Sequence, residues 1–120
     1  MEKIIEQGIL YDFYGELLKP HQRKIYEAAV YDDLSLSEIA EEAGISRQGV
    51  HDLIKRCDKI LQDYEEKLRL IEKFTKTKDN VTKIAVITNN LEQLTSSCNE
   101  DVKNLVTQMK LLTSEMIEEL

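Results

Sequence analysis

The sequence predicts an all-α protein, a helix-turn-helix bundle followed by a C-terminal long helix or helical hairpin. Three observations carry this expectation. Apolar residues recur at helical spacing along most of the chain, with few β-branched runs and no strict alternation. All four glycines lie at or before residue 49 and Pro20 is the single proline, so the last seventy-one residues contain no strong breaker. The stretch Ser35–Arg56, SLSEIAEEAGISRQGVHDLIKR, reads as two short helices joined by a tight turn.

Residues 2–18 fit an amphipathic first helix, with Leu10, Phe13, Tyr14, Leu17 and Leu18 on one stripe that Ile5 and Ile9 extend. Gly8 and Gly15 each weaken it by about 1 kcal/mol relative to alanine. Lys19-Pro20 ends this helix, and Pro20 suits the first turn of the next. Residues 20–32 form the second helix, burying Ile25, Ala28, Ala29 and Tyr26. His21 near its start has no second ligand at helical spacing and reads as an exposed helix-start residue.

The third helix spans 36–43. Ser35 is its expected N-cap, Glu38 completes a capping box, and Leu34 with Ile39 forms a hydrophobic staple. Gly44 supplies the positive φ that ends it. Ser46 caps the fourth helix from Arg47, with Ile45 and Val50 as a second staple. Ile39, Ala40, Ala43, Ile45, Val50 and Ile54, flanked by Leu53, are expected to hold the pair together. The same pattern would also suit a helical hairpin in an ordinary bundle.

At about 100° per residue, Val50, Ile54, Cys57, Leu61, Tyr64 and Leu68 share one face of the fourth helix. Gln48, His51, Asp52, Lys55 and Lys59 share the other. The apolar stripe continues to about Ile71, long enough to carry a dimer contact. Residues 75–80, TKTKDN, are polar and mark a break, giving expected domains of 1–74 and 75–120.

Beyond the break, Ile84, Leu91, Cys98, Leu105 and Leu112 repeat every seven residues. Val81, Thr88, Thr95, Val102, Met109 and Met116 form a second seam. The unbroken register suits one helix of about 60 Å with a partner along its seam. The alternative is a hairpin turning at Ser96-Ser97-Cys98-Asn99, with Ser97 and Glu100 as a capping box.

Composition narrows the function classes. The net charge of −7 argues against a chain that binds polyanions over its whole surface. Residues 1–45 carry four basic and ten acidic groups, and residues 60–120 carry eight and eleven. Residues 47–59 carry four basic and two acidic groups, a locally positive segment on the proposed fourth helix. Two distant cysteines, Cys57 and Cys98, make neither a disulfide framework nor a zinc site, and Cys57 on an apolar face reads as a small buried thiol. No catalytic triad, phosphate-cradling glycine loop or metal cluster is visible, so the expectation is a non-enzyme without cofactor. No signal, transit or membrane-spanning run is present, and a cytoplasmic protein is the default.

The outward face of the fourth helix suits nucleic acid. Arg47 and Lys55 can pair with phosphates or with guanine, Gln48 with adenine, and His51 can act as a third reader. Ser46 and the N–H groups after it offer the positive helix end to a phosphate. Arg56 and Lys59 complete the candidate set. Asp52 is an unwelcome charge there.

From about Tyr11 to Leu70 the chain resembles the YlxM-like family of small bacterial helix-turn-helix proteins. The resemblance rests on Leu17-Leu18 followed by Gln22, and on the run Tyr31 to Leu36. It continues through Glu38 to Glu42, Ser46-Arg47-Gln48, Ile54-Lys55-Arg56, Leu61 and Asp63-Tyr64-Glu65. The motif core is also similar to region 4 of bacterial sigma factors, their promoter-reading part. Gly49 and His51 depart from the alanine and aromatic residue common in the family, and residues 75–120 lie outside the resemblance. It implies an all-helical homodimer associated with the signal recognition particle pathway, an association that rests largely on gene neighbourhood. The functional expectation is a nucleic-acid-binding regulator whose target is DNA, or RNA of that particle. The alternative is a protein-interaction module of the protein-targeting or transcription machinery.

Overall fold

A computed structural model describes residues 2–95 and 97–120. Among the described residues there are six α-helices and no strand. They are α1 (Lys3–Tyr14), α2 (Pro20–Val30), α3 (Leu36–Ala43), α4 (Arg47–Leu68), α5 (Leu70–Leu94) and α6 (Glu100–Glu119). The chain divides into two units, the first ending at Ile71 and the second Glu72–Leu120.

In the first unit α1, α2 and α3 all pack on α4. α1 stops at Tyr14, four residues short of the expected end, and Gly15–Leu17 tightens into a 3-10 turn. The physical reason lies at Gly15, where a Cβ would sit 2.7 Å from the Tyr11 ring. The bare backbone lets that ring close over it. Pro20 then opens α2 as expected, and the Gln22 side chain accepts from the Lys19 N–H at 3.0 Å.

Two clusters share α4. Tyr14, Leu18, Tyr26, Cys57 and Leu61 form one, and Ile25, Ile39, Ala40 and Val50 form the other. Ala43, at the end of α3, and Ile45, just past the left-handed turn at Gly44, were expected in the core and are instead exposed. Ile25 of α2, expected to be buried, packs with Ile39, Ala40 and Val50.

Tyrosine–carboxylate bonds tie these helices laterally. Tyr26 donates to Asp58 at 2.5 Å, and Gln7 also donates to Asp58, at 3.0 Å. Tyr14 donates to Glu65 at 2.5 Å, Tyr11 to Glu27 and Tyr31 to Asp12. Burial, followed by the adjacent carboxylate, raises the pKa of all four phenols.

α4 ends at Leu68, which is exposed, and Arg69 takes a left-handed conformation at φ 53°. The next two N–H groups find side-chain acceptors: Leu70 donates to the Tyr14 hydroxyl at 3.2 Å and Ile71 to Glu65 at 3.0 Å. The break expected at 75–80 is absent, since α5 runs straight through it. TKTKDN contains no glycine or proline, and the Asp79–Lys83 pair at 3.0 Å spans one helical turn there.

The second unit is an antiparallel helical hairpin rather than one long helix. Glu92 of α5 pairs with Lys110 of α6 at 3.0 Å, and Glu92, Thr95, Lys103, Val106 and Thr107 line the groove between the helices. Asn99, not Ser97, caps α6 by accepting from the Val102 N–H at 3.0 Å. Ser96, part of the expected turn, lies outside the described residues. Val81 and Thr88 on α5, with Val106 and Thr113 on α6, are the buried residues of this unit.

Candidate nucleic-acid interface

The site is built on α3, the turn at Gly44 and the first three turns of α4. The Ser35 hydroxyl accepts from the Glu38 N–H at 3.1 Å, and the Ser46 hydroxyl accepts from the Gly49 N–H at 2.9 Å. Gly44 sits at φ +69°, where a side chain is strained. Each cap satisfies one of the N–H groups that open a helix. At α4 the N–H groups of Arg47 and Gln48 have no intrahelical acceptor and point out of the helix start.

Val50, Cys57 and Leu61 are fully buried, which locks the rotation of α4 about its axis. The opposite side is thereby turned outward. Ser46, Arg47, Gln48, Lys55, Arg56 and Lys59 are all exposed. His51 is half-buried, its Nδ1 enclosed and 3.6 Å from an Asp52 oxygen. Leu36 of α3 joins Arg47, Gln48 and His51 around a shallow depression beside the helix start.

Two carboxylates of this segment behave differently. Asp58 faces inward and is occupied by Tyr26 and Gln7. That leaves Asp52 as the one acid on the outward side of residues 47–59, against four cations. Asp52 accepts from the Gln48 amide at 2.9 Å, so it sets the orientation of that side chain. Lys59 lies 3.9 Å from Asp63, one turn on, a pair too exposed to hold it firmly. The sequence reading saw Asp52 only as an opposing charge and missed its bond to Gln48. The four-residue spacing was the available signal.

Cys57 is fully buried, and burial pushes its thiol up to about 11, whereas Cys98 is exposed. His21 is exposed at the start of α2. Among the described residues no group of three or more histidine, cysteine or acidic side chains could hold a metal ion. No described helix is long and apolar enough to cross a membrane.

Residues 1–113 match the family model described as "Putative helix-turn-helix protein, YlxM / p13 like", UPF0122. The chain is 40% identical over 112 residues to the UPF0122 proteins of Bacillus cereus strains AH187 and G9842. A UPF0122 protein of Bacillus anthracis strain A0248 aligns equally well. Each alignment covers 93% of this chain and 98% of the relative. The match therefore runs well into α6, correcting the expectation that residues 75–120 fall outside the resemblance.

Proposed function

The chain belongs to the YlxM / p13-like family UPF0122, and from that premise we propose that it is a cytoplasmic, homodimeric regulator that binds nucleic acid through α4. One observation carries the reading: a capped helix anchored by fully buried Val50, Cys57 and Leu61 turns Arg47, Lys55, Arg56 and Lys59 to solvent. Arg47 and the open N–H groups at the helix start bind phosphate, while Gln48 and Lys55 meet base edges, with His51 beside them. The resemblance to the family brings in the signal recognition particle pathway. Its RNA is therefore a target to be titrated beside duplex DNA.

The test is a gel-shift titration of both nucleic acids at several salt concentrations. For a dimer making about eight phosphate contacts, log K falls with log salt at a slope near −7. Replacing Arg47, Gln48 and Lys55 together by alanine abolishes binding and leaves the helical circular dichroism unchanged. A triple variant that binds normally rejects this surface.

Asp52 supports a second reading, a protein-interaction module that keeps the helix-turn-helix shape without the groove function. Absence of binding to either nucleic acid, together with capture of a component of protein targeting or RNA polymerase, would select it.

A further inference from the structure

The hairpin of the second unit has its apolar residues the wrong way round for a structure that stands alone. Its interior seam is Val81, Thr88, Val106 and Thr113, with Thr88 only 2% exposed. The two threonines tolerate burial because each hydroxyl bonds back to its own helix, Thr88 to the Ile84 carbonyl at 2.8 Å and Thr113 to Met109 at 2.7 Å. The larger residues are outside. On α5 these are Ile84, Ile87, Leu91 and Leu94, the last 78% exposed. On α6 Leu105, Met109, Leu112 and Met116 share one line, with Leu112 61% exposed, while Leu111 and Ile117 are exposed off it.

Their spacing is that of a coiled-coil seam. Both sets alternate steps of three and four residues. At about 100° per residue, each stripe lies about 80–90° from the buried line of its own helix, in the same rotational sense on both. Because the helices are antiparallel, offsets of one sense bring both stripes to one side of the hairpin. The result is a single apolar face two helices wide.

Charge identifies the occupant. Within this unit α5 carries four lysines, all between 73 and 83, against three acids. α6 carries two lysines against five acids, with Glu115, Glu118 and Glu119 at the end of the hairpin where the α5 lysines lie. We propose that a second copy of this chain seats on the apolar face, forming a four-helix bundle in which α5 packs against α6 of the other copy. The two-fold axis then runs along the helices, and the lysine-rich part of α5 meets the acidic end of the facing α6. The other two-fold arrangement, with its axis across the helices, would set Glu115, Glu118 and Glu119 against Glu100 and Asp101 of the second copy. Both chains enter the bundle at the same end.

This surface rests on the dimeric reading above, and the experiment separates the two. Sedimentation equilibrium of the full chain gives twice the 13.9 kDa chain mass. Leu91→Lys with Leu112→Lys, both at exposed positions, halves that mass with helicity retained. A short bismaleimide joins two unmodified chains through exposed Cys98, because both Cys98 residues lie at one end of the bundle. A single-chain mass for the unmodified protein overturns the dimer and this surface together. A dimer that survives the double substitution keeps the dimer and rejects the face. Loss of the dimer on substitution without Cys98 coupling rejects the axis along the helices.

Discussion

The phenol of Tyr26, in the middle of α2, donates to the Asp58 carboxylate of α4 at 2.5 Å with its ring fully buried. Tyr26→Phe removes only the hydroxyl and leaves Asp58 with the Gln7 amide. A hydrogen bond to a charged group contributes about 1.5–3 kcal/mol, and urea denaturation should record a loss of that size. A variant as stable as the parent would mean that water replaces the phenol without cost.

Stability should fall in alkaline solution. In the unfolded chain tyrosines ionise near their ordinary value of about 10. In the fold Tyr26, Tyr31, Tyr14 and Tyr11 keep their protons above that value, through burial first and the adjacent carboxylate second. The native state therefore binds more protons, and this stabilisation is complete below about pH 10 and lost as the pH rises beyond it. The Cys57 thiol, raised from 9.0 to about 11, acts in the same direction from about pH 9. The urea midpoint should hold between about pH 7 and 9 and decline above 10, less steeply in Tyr26→Phe.

Gly44→Val should cost well over 1 kcal/mol, because a β-branched residue resists the left-handed backbone found there. Ser46→Ala should cost about 1 kcal/mol through loss of the α4 cap. Thermal melts of both variants check the pair, and an unchanged melting temperature for Gly44→Val would contradict the strain argument.

Asp52→Asn should strengthen nucleic-acid binding. A unit charge about 6 Å from a phosphate in water interacts by roughly 0.7 kcal/mol, about threefold in affinity. The gel-shift midpoint reads it directly. Weaker binding would mean that the Asp52 bond to Gln48 holds the amide in its working orientation.

The helix-turn-helix was legible because its signals are local. Two serines, one glycine and the periodicity of Val50, Cys57 and Leu61 set its caps, its turn and the inward side of α4 without reference to distant residues. The cationic side of α4 was legible for the same reason. Other features depend on partners far along the chain. Asp58 is one of the two acids of residues 47–59, and nothing near it in the sequence signals that Gln7, 51 residues away, and Tyr26 hold it inward. Arg69 carries no sequence mark of a left-handed break, which coincides with the capture of the Leu70 and Ile71 N–H groups by Tyr14 and Glu65. The hairpin stood only as the alternative for a different reason: the seven-residue repeat keeps its register from Leu91 to Leu105, past the end of α5 and into α6.

The paired phenols also give the first unit a built-in optical reporter. The chain has no tryptophan, and four of its five tyrosines donate to carboxylates in the native state. Hydrogen bonding to a carboxylate quenches tyrosine emission, so the folded protein should be dim in tyrosine fluorescence and brighten as its helices separate. Unfolding of this unit can therefore be followed by fluorescence without attaching a dye.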